Sequence, residues 1–137
     1  FEKKYTQNSY QWNSSLYSDG LYKFKLICSD ELDNPLNPLT DEFISDEILV
    51  DNTPPLLTEF KFKENYITFT FTDEFNIISK CEYSINGKDW INVEPLDGIF
   101  DSRVETFRIY NFQPANTLSI RIFDAYNNFI VKSFFVK

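Results

Sequence analysis

The chain has 137 residues, 42% of them hydrophobic, 25% charged and 18% aromatic, and its net charge is −8. This composition is globular rather than disordered and suits one domain or two small ones. The acidic balance disfavours nucleic acid and anionic lipid surfaces, and no run approaches the roughly 20 apolar residues of a membrane-spanning helix.

Opening on Phe1 and containing no Met, the chain reads as a piece of a longer protein. Its first segment predicts strands over 3–6, 9–14, 21–28 and 43–50. Asp19-Gly20 turns the chain into 21–28, where Tyr22, Phe24, Leu26 and Cys28 share the inward parity and Lys23 and Lys25 the outward one. The polar, proline-containing stretch 29–42 reads as a long exposed loop. Four strands fall about three short of a sandwich, so the expectation is that the rest come from upstream sequence or from another copy of the chain.

Val50-Asp51-Asn52-Thr53-Pro54-Pro55 interrupts this pattern. Pro54 and Pro55 lack backbone donors and fix φ, so Asn52–Pro55 reads as a stiff joint between a module at 1–52 and a second at 53–137.

The second module predicts strands at 56–62, 65–72, 79–85, 90–93, 104–110, 117–123 and 129–136. In 65–72, Ile67, Phe69 and Phe71 alternate with Thr68, Thr70 and Thr72, the pattern of a half-buried strand. Asn86-Gly87 accepts the positive φ angles of a tight hairpin, and 94–103 reads as a crossover between sheets. Seven short strands with regular turns and no amphipathic helix predict an all-β fold: tandem Greek-key sandwiches of immunoglobulin type, the first incomplete.

The string Ser18-Asp19-Gly20-Leu21-Tyr22-Lys23-Phe24-Lys25-Leu26-Ile27-Cys28-Ser29-Asp30, with Asn34-Pro35 and Val50-Asp51-Asn52-Thr53-Pro54-Pro55, resembles the end of bacterial fibronectin type III-like repeats. The stretches Cys81–Trp90, Glu94–Ser102, Glu105-x-Phe107 and Ile120–Asn128 resemble the repeat that often follows in large secreted or surface proteins. The chain departs in carrying Asn127-Asn128 where that family tends to have Gly-Asn, and in lacking the front of the first repeat. The resemblance implies an extracellular or cell-surface location and a spacer, adhesion or docking role, without naming a ligand.

Catalytic chemistry finds little material. With no His, neither a Ser-His-Asp or Cys-His centre nor a His-ligated zinc can form within the chain, and three glycines leave nothing for a phosphate loop. Cys28 and Cys81 read as two buried free thiols, with a disulfide as the other option.

Asp97, Asp101 and Glu105 are weak candidates for calcium, the one cofactor considered; the plainer reading is a turn at Asp97-Gly98 and a cap at Asp101-Ser102. Asp30, Glu31, Asp33, Asp41 and Glu42 read as a solvated face. Tyr5, Tyr10, Trp12 and Tyr17 are the ligand or interface candidates, as a glycan platform or as packing. Trp90 is expected between the sheets, with Phe100 beside the crossover, and Tyr22 in a corner with its hydroxyl on backbone. Asn13-Ser14-Ser15 matches a glycosylation sequon by chance. The function expected is a non-enzymatic structural or protein-interaction segment, partnered by neighbouring domains or other copies and able to self-associate through open edges; the alternative is a glycan- or peptide-binding accessory module.

Overall fold

Period-two alternation yields an all-β protein in the computed structural model, which describes residues 9–113 and 116–136. The strand expected at 3–6, and Tyr5 with it, lie outside the described residues. The chain divides into two compact units, one ending at Val50 and the other starting at Asp51.

In the first unit, residues 9–13 carry no strand, contrary to the expectation for 9–14, and a 3-10 turn follows at Ser14–Leu16. Asn13 is the reason. Its side-chain oxygen accepts from the Ser15 amide at 3.2 Å, a local bond that competes with a ladder. Strands β1 (Gly20–Tyr22), β2 (Lys25–Ser29), β3 (Thr40–Ile44) and β4 (Ile48–Val50) follow. They form two separate antiparallel ladders, β1 with β4 and β2 with β3.

Each long strand predicted here is therefore two. Gly20 pairs with Val50 but Lys25 pairs with Ile44, an offset of one residue between the ladders. Ser45 stitches the break: its Oγ accepts from the Phe24 amide at 2.9 Å and donates to the Asp46 carbonyl at 2.8 Å. Phe24, Leu26 and Cys28, expected to face inward, are exposed, and Leu26 keeps 59% of its surface. The physical cause is that β2 and β3 are exposed along their whole length, with no second layer over either face among the described residues.

The second unit builds both layers. One sheet has the order β5 (Leu56–Lys63), β6 (Tyr66–Thr72), β9 (Val104–Tyr110); the other runs β11 (Phe129–Val136), β10 (Asn116–Asp124), β7 (Ile78–Ile85), β8 (Ile91–Asn92). All pairings are antiparallel. Ile67, Phe69 and Phe71 of β6 and Phe107 and Ile109 of β9 meet Leu118, Ile120 and Ile122 of β10 in one buried cluster. Thr68, Thr70 and Thr72 take the opposite face, as the alternation requires. Phe69 stacks on Phe107 at 5.4 Å, and Phe60 on Phe134 at 4.2 Å. The result is a two-sheet sandwich.

Asn86 and Gly87 both hold positive φ, 54° and 69°, and close the β7–β8 hairpin as their sequence predicts. Asn127 takes φ 65°, so the turn before β11 forms without a glycine.

The two units make opposite predictions for truncation. Phe69→Ala should cost about 3–5 kcal/mol through lost transfer energy and a cavity, whereas Leu26→Ala should stay within about 0.5 kcal/mol. Urea denaturation of both variants checks this, and equal losses would contradict the assignment of the core.

Candidate functional site

Three carboxylates are buried at strand ends of the second unit. Asp51 precedes the proline pair, Asp73 follows β6, and Asp124 closes β10. They form the one group of acidic or thiol side chains, among the described residues, whose potential ligand atoms all lie within 4.8 Å of one another. Unit charges at that spacing repel by about 3.5 kcal/mol per pair at an effective dielectric near 20.

Donors offset much of this repulsion. Asp73 Oδ1 accepts from the amides of Phe75 and Asn76 at 2.9 and 2.7 Å. Asp124 Oδ1 accepts from Tyr126 and Asn128 amides at 2.7 and 2.9 Å, and its Oδ2 from the Asn128 side chain at 2.7 Å. Asp51 accepts from the Thr53 amide at 3.1 Å and from the Asn76 side chain, while its carbonyl takes the Asn128 amide group at 3.0 Å. The segment Asp51–Thr53 is thereby tied to the turns after β6 and β10. Chemically, the trio offers three of the six to eight oxygens that calcium takes. Burial raises the Asp51 carboxyl above its ordinary 3.8, with the neighbouring Asp73 and Asp124 adding to the rise against the hydrogen bonds from Asn76 and Thr53.

Asp97, Asp101 and Glu105 do not form such a group. Asp97 Oδ1 accepts from the Ile99 amide at 3.2 Å, making the turn that its pairing with Gly98 predicts. Glu105 is buried, and its Oε1 caps the amides of Asp101 and Ser102 at 3.3 and 3.0 Å. In the other acidic stretch, Asp30 closes the 30–39 loop by accepting from the Leu39 amide at 2.6 Å.

The aromatic candidates of the first unit separate. Trp12 packs against Tyr17, Tyr22 and Phe24 with centroids at 5.0, 5.7 and 5.0 Å, all tilted or edge-on, so its ring is half-buried among neighbours. Tyr10 is exposed. Tyr22 donates its hydroxyl to the Ser18 carbonyl at 2.7 Å, the corner bond its position suggests.

Trp90 is not in the core. It retains 37% exposure, and the Arg121 guanidinium lies 4.4 Å from its ring. A two-residue turn at Asn86-Gly87 would set Trp90 opposite Tyr83, but Ile91 occupies that place, one position later. The slip moves Trp90 to the outer face, where Arg121 also bridges Glu82 at 2.6 and 2.8 Å. Burial pushes the Glu82 carboxyl up, but hydrogen bonds from Lys80 and Arg121 outweigh it and leave the group below its ordinary range. Phe100 is half-buried and packs against the core beside Phe107. Both cysteines are free thiols. Cys81 is buried, and desolvation pushes its thiol far up; Cys28, expected inside, is exposed.

Two surface depressions lie along β2 and β3, one lined by Ile27, Thr40, Asp41 and Glu42 and the other by Cys28, Asp30 and Leu39 among others. No helix among the described residues is long and apolar enough to cross a membrane. No family model, curated protein or solved structure matches the chain. Sequence reasoning missed the Asp51, Asp73 and Asp124 trio. Its available signal was an Asp followed within four positions by Asn or Thr at each of three strand ends, but their convergence depends on the sheet order.

Asp51 gives a signed pH test. Because its folded value exceeds 3.8, the folded state binds more protons in that window, and stability is lost as pH rises through it. Asp51→Asn removes this slope, so the stability of the variant relative to wild type should increase from about pH 4 to pH 7. A constant or decreasing difference in urea titrations would contradict the buried, repelled state of Asp51.

Proposed function

We propose that this chain is a non-enzymatic structural and protein-interaction segment that works outside the cell or at its surface. Its second unit reads as a sandwich of fibronectin type III-like or immunoglobulin-like kind. The three-plus-four strand order supports that reading, with one difference from the constant-type immunoglobulin order: the short strand β8 joins β7, not β9. The observation that carries the functional reading is the uncovered β2–β3 ladder, where Leu26, Ile27, Phe43 and Ile44 are all exposed and Phe43 keeps 64% of its surface. Leu26 stands opposite Phe43 on one face, while Ile27 and Ile44 fall on the other beside Glu42 and Lys25; soluble proteins rarely leave apolar residues open on both faces of a ladder unless other surfaces cover them.

The partner of that ladder is protein, either a neighbouring domain of the parent or another copy of the chain. Main-chain donors at the ladder edges favour strand addition. The second unit opposes the same event. On its edge strand β11, Lys132 stands opposite Ile120 on the core-facing parity, and on the edge strand β5, Lys61 and Lys63 point outward. Charges placed so discourage edge pairing. No cofactor is needed for this role, and no catalytic group is assigned.

Sedimentation over a concentration series tests self-association. Wild type should gain mass with concentration, and Leu26→Lys with Phe43→Lys should remain monomeric. A wild-type monomer at every concentration would remove self-assembly and leave a spacer that docks only within its parent.

A further inference from the structure

The outer face of the three-stranded sheet carries a second surface, separate from the ladder of the first unit. The register aligns Lys63 of β5, Tyr66 of β6 and Tyr110 of β9 in one row across the sheet. The next row on the same face aligns Lys61, Thr68 and Arg108. Three cations and two tyrosines thus converge at one end of a sheet in a chain whose net charge is −8.

Arg108 is held in place. Its guanidinium carbon lies 4.7 Å from the Tyr66 ring centre and 5.7 Å from that of Tyr110, and its Nη1 donates to the Tyr110 hydroxyl at 3.1 Å. Stacking of this kind orders a long side chain before any ligand arrives. The other two arginines are spoken for: Arg121 bridges the Glu82 carboxylate, and Arg103 donates to the Glu74 carbonyl. Arg108 has no carboxylate within ion-pair distance among the described residues, and its Nε is the one buried side-chain polar atom among them without a hydrogen-bond partner. Lys61 is partly neutralised by Glu59 at 2.5 Å, so Arg108 and Lys63 carry the positive charge of the patch. Tyr110 leaves 62% of its surface open beside them.

The geometry points to a binding surface for carboxylate-bearing saccharides, chains of uronic acid residues in particular. The guanidinium fork suits a planar carboxylate, and the open tyrosine ring offers a flat apolar surface for the C–H face of a pyranose. Lys63 adds an unconstrained cation, and Thr68 a hydroxyl for sugar oxygens. An open sheet face favours such a stiff polymer over a flexible acidic peptide, because less chain entropy is lost on docking. This site does not depend on the first unit, so it stands or falls independently of self-association.

Isothermal titration of the full chain with tetragalacturonate, with a neutral cello-oligosaccharide and with oligoglutamate of matched charge tests it. Tetragalacturonate should bind saturably and weaken with added salt, and the two other probes should bind at least about tenfold more weakly. Arg108→Gln and Tyr110→Ala should each reduce tetragalacturonate affinity about tenfold or more. Lys63→Gln, outside the stack and therefore harmless to folding, should reduce it about threefold, while Lys80→Gln on the opposite sheet should leave it unchanged. Absence of saturable binding by wild type would overturn the proposal, as would equal binding by Lys63→Gln and Arg108→Gln proteins of wild-type melting temperature. Equal affinity for oligoglutamate would overturn the saccharide assignment.

Discussion

Phe69 stacked on Phe107, with Phe71, Ile120 and Ile122 closing around the pair, is the contact on which the second unit depends. The rings join β6 to β9 within one sheet, and the isoleucines bring the other sheet over them. Each buried ring withdraws about 150–250 Å² from water, a gross gain of about 4–6 kcal/mol at 25 cal/mol per Å². That layer of apolar contact fixes the parity of every strand that meets it. Polar residues that fall on the inner parity are then forced into hydrogen bonds. Glu105 caps the crossover amides, and the strand-end aspartates gather the amides of the turns that follow them.

Among its described residues, the first unit lacks this second layer. Its two ladders satisfy backbone groups in pairs, and Ser45 repairs the break between them, but the apolar side chains of β2 and β3 meet no opposing sheet. Backbone pairing alone leaves such ladders marginal in water. The same shortage of cover is what the proposed protein-interaction role rests on. The second unit is a two-sheet sandwich with charged edges, and the first carries an exposed two-stranded ladder. A spacer or docking segment draws on both properties.

Much of the second unit is legible in its sequence, because period-two alternation with aromatic and β-branched residues is a local signal. All seven of its expected strands form, and Phe69, Phe71 and Ile120 fall inside. Trp90 escaped prediction because one extra residue in the β7–β8 hairpin reverses its face, and nothing local marks that slip. In the first unit, alternation in 21–28 is just as clean, yet Leu26 faces solvent. Alternation reports that a strand has two unlike faces; it does not report whether another layer covers one of them. The candidate surfaces were harder still. The aspartate trio, and Tyr66 beside Arg108 and Tyr110, join residues far apart in the chain, and only the sheet register brings them together.

The contrast between a covered sandwich and an uncovered ladder is best tested by native-state hydrogen exchange at a dilution where the chain is monomeric. Amides of β6, β7, β9 and β10 should exchange only through global unfolding, while those of β1 to β4 should exchange near the rate of an open chain. Protection of β2 and β3 equal to that of β6 and β9 would contradict the account, because those strands would then own a core of their own.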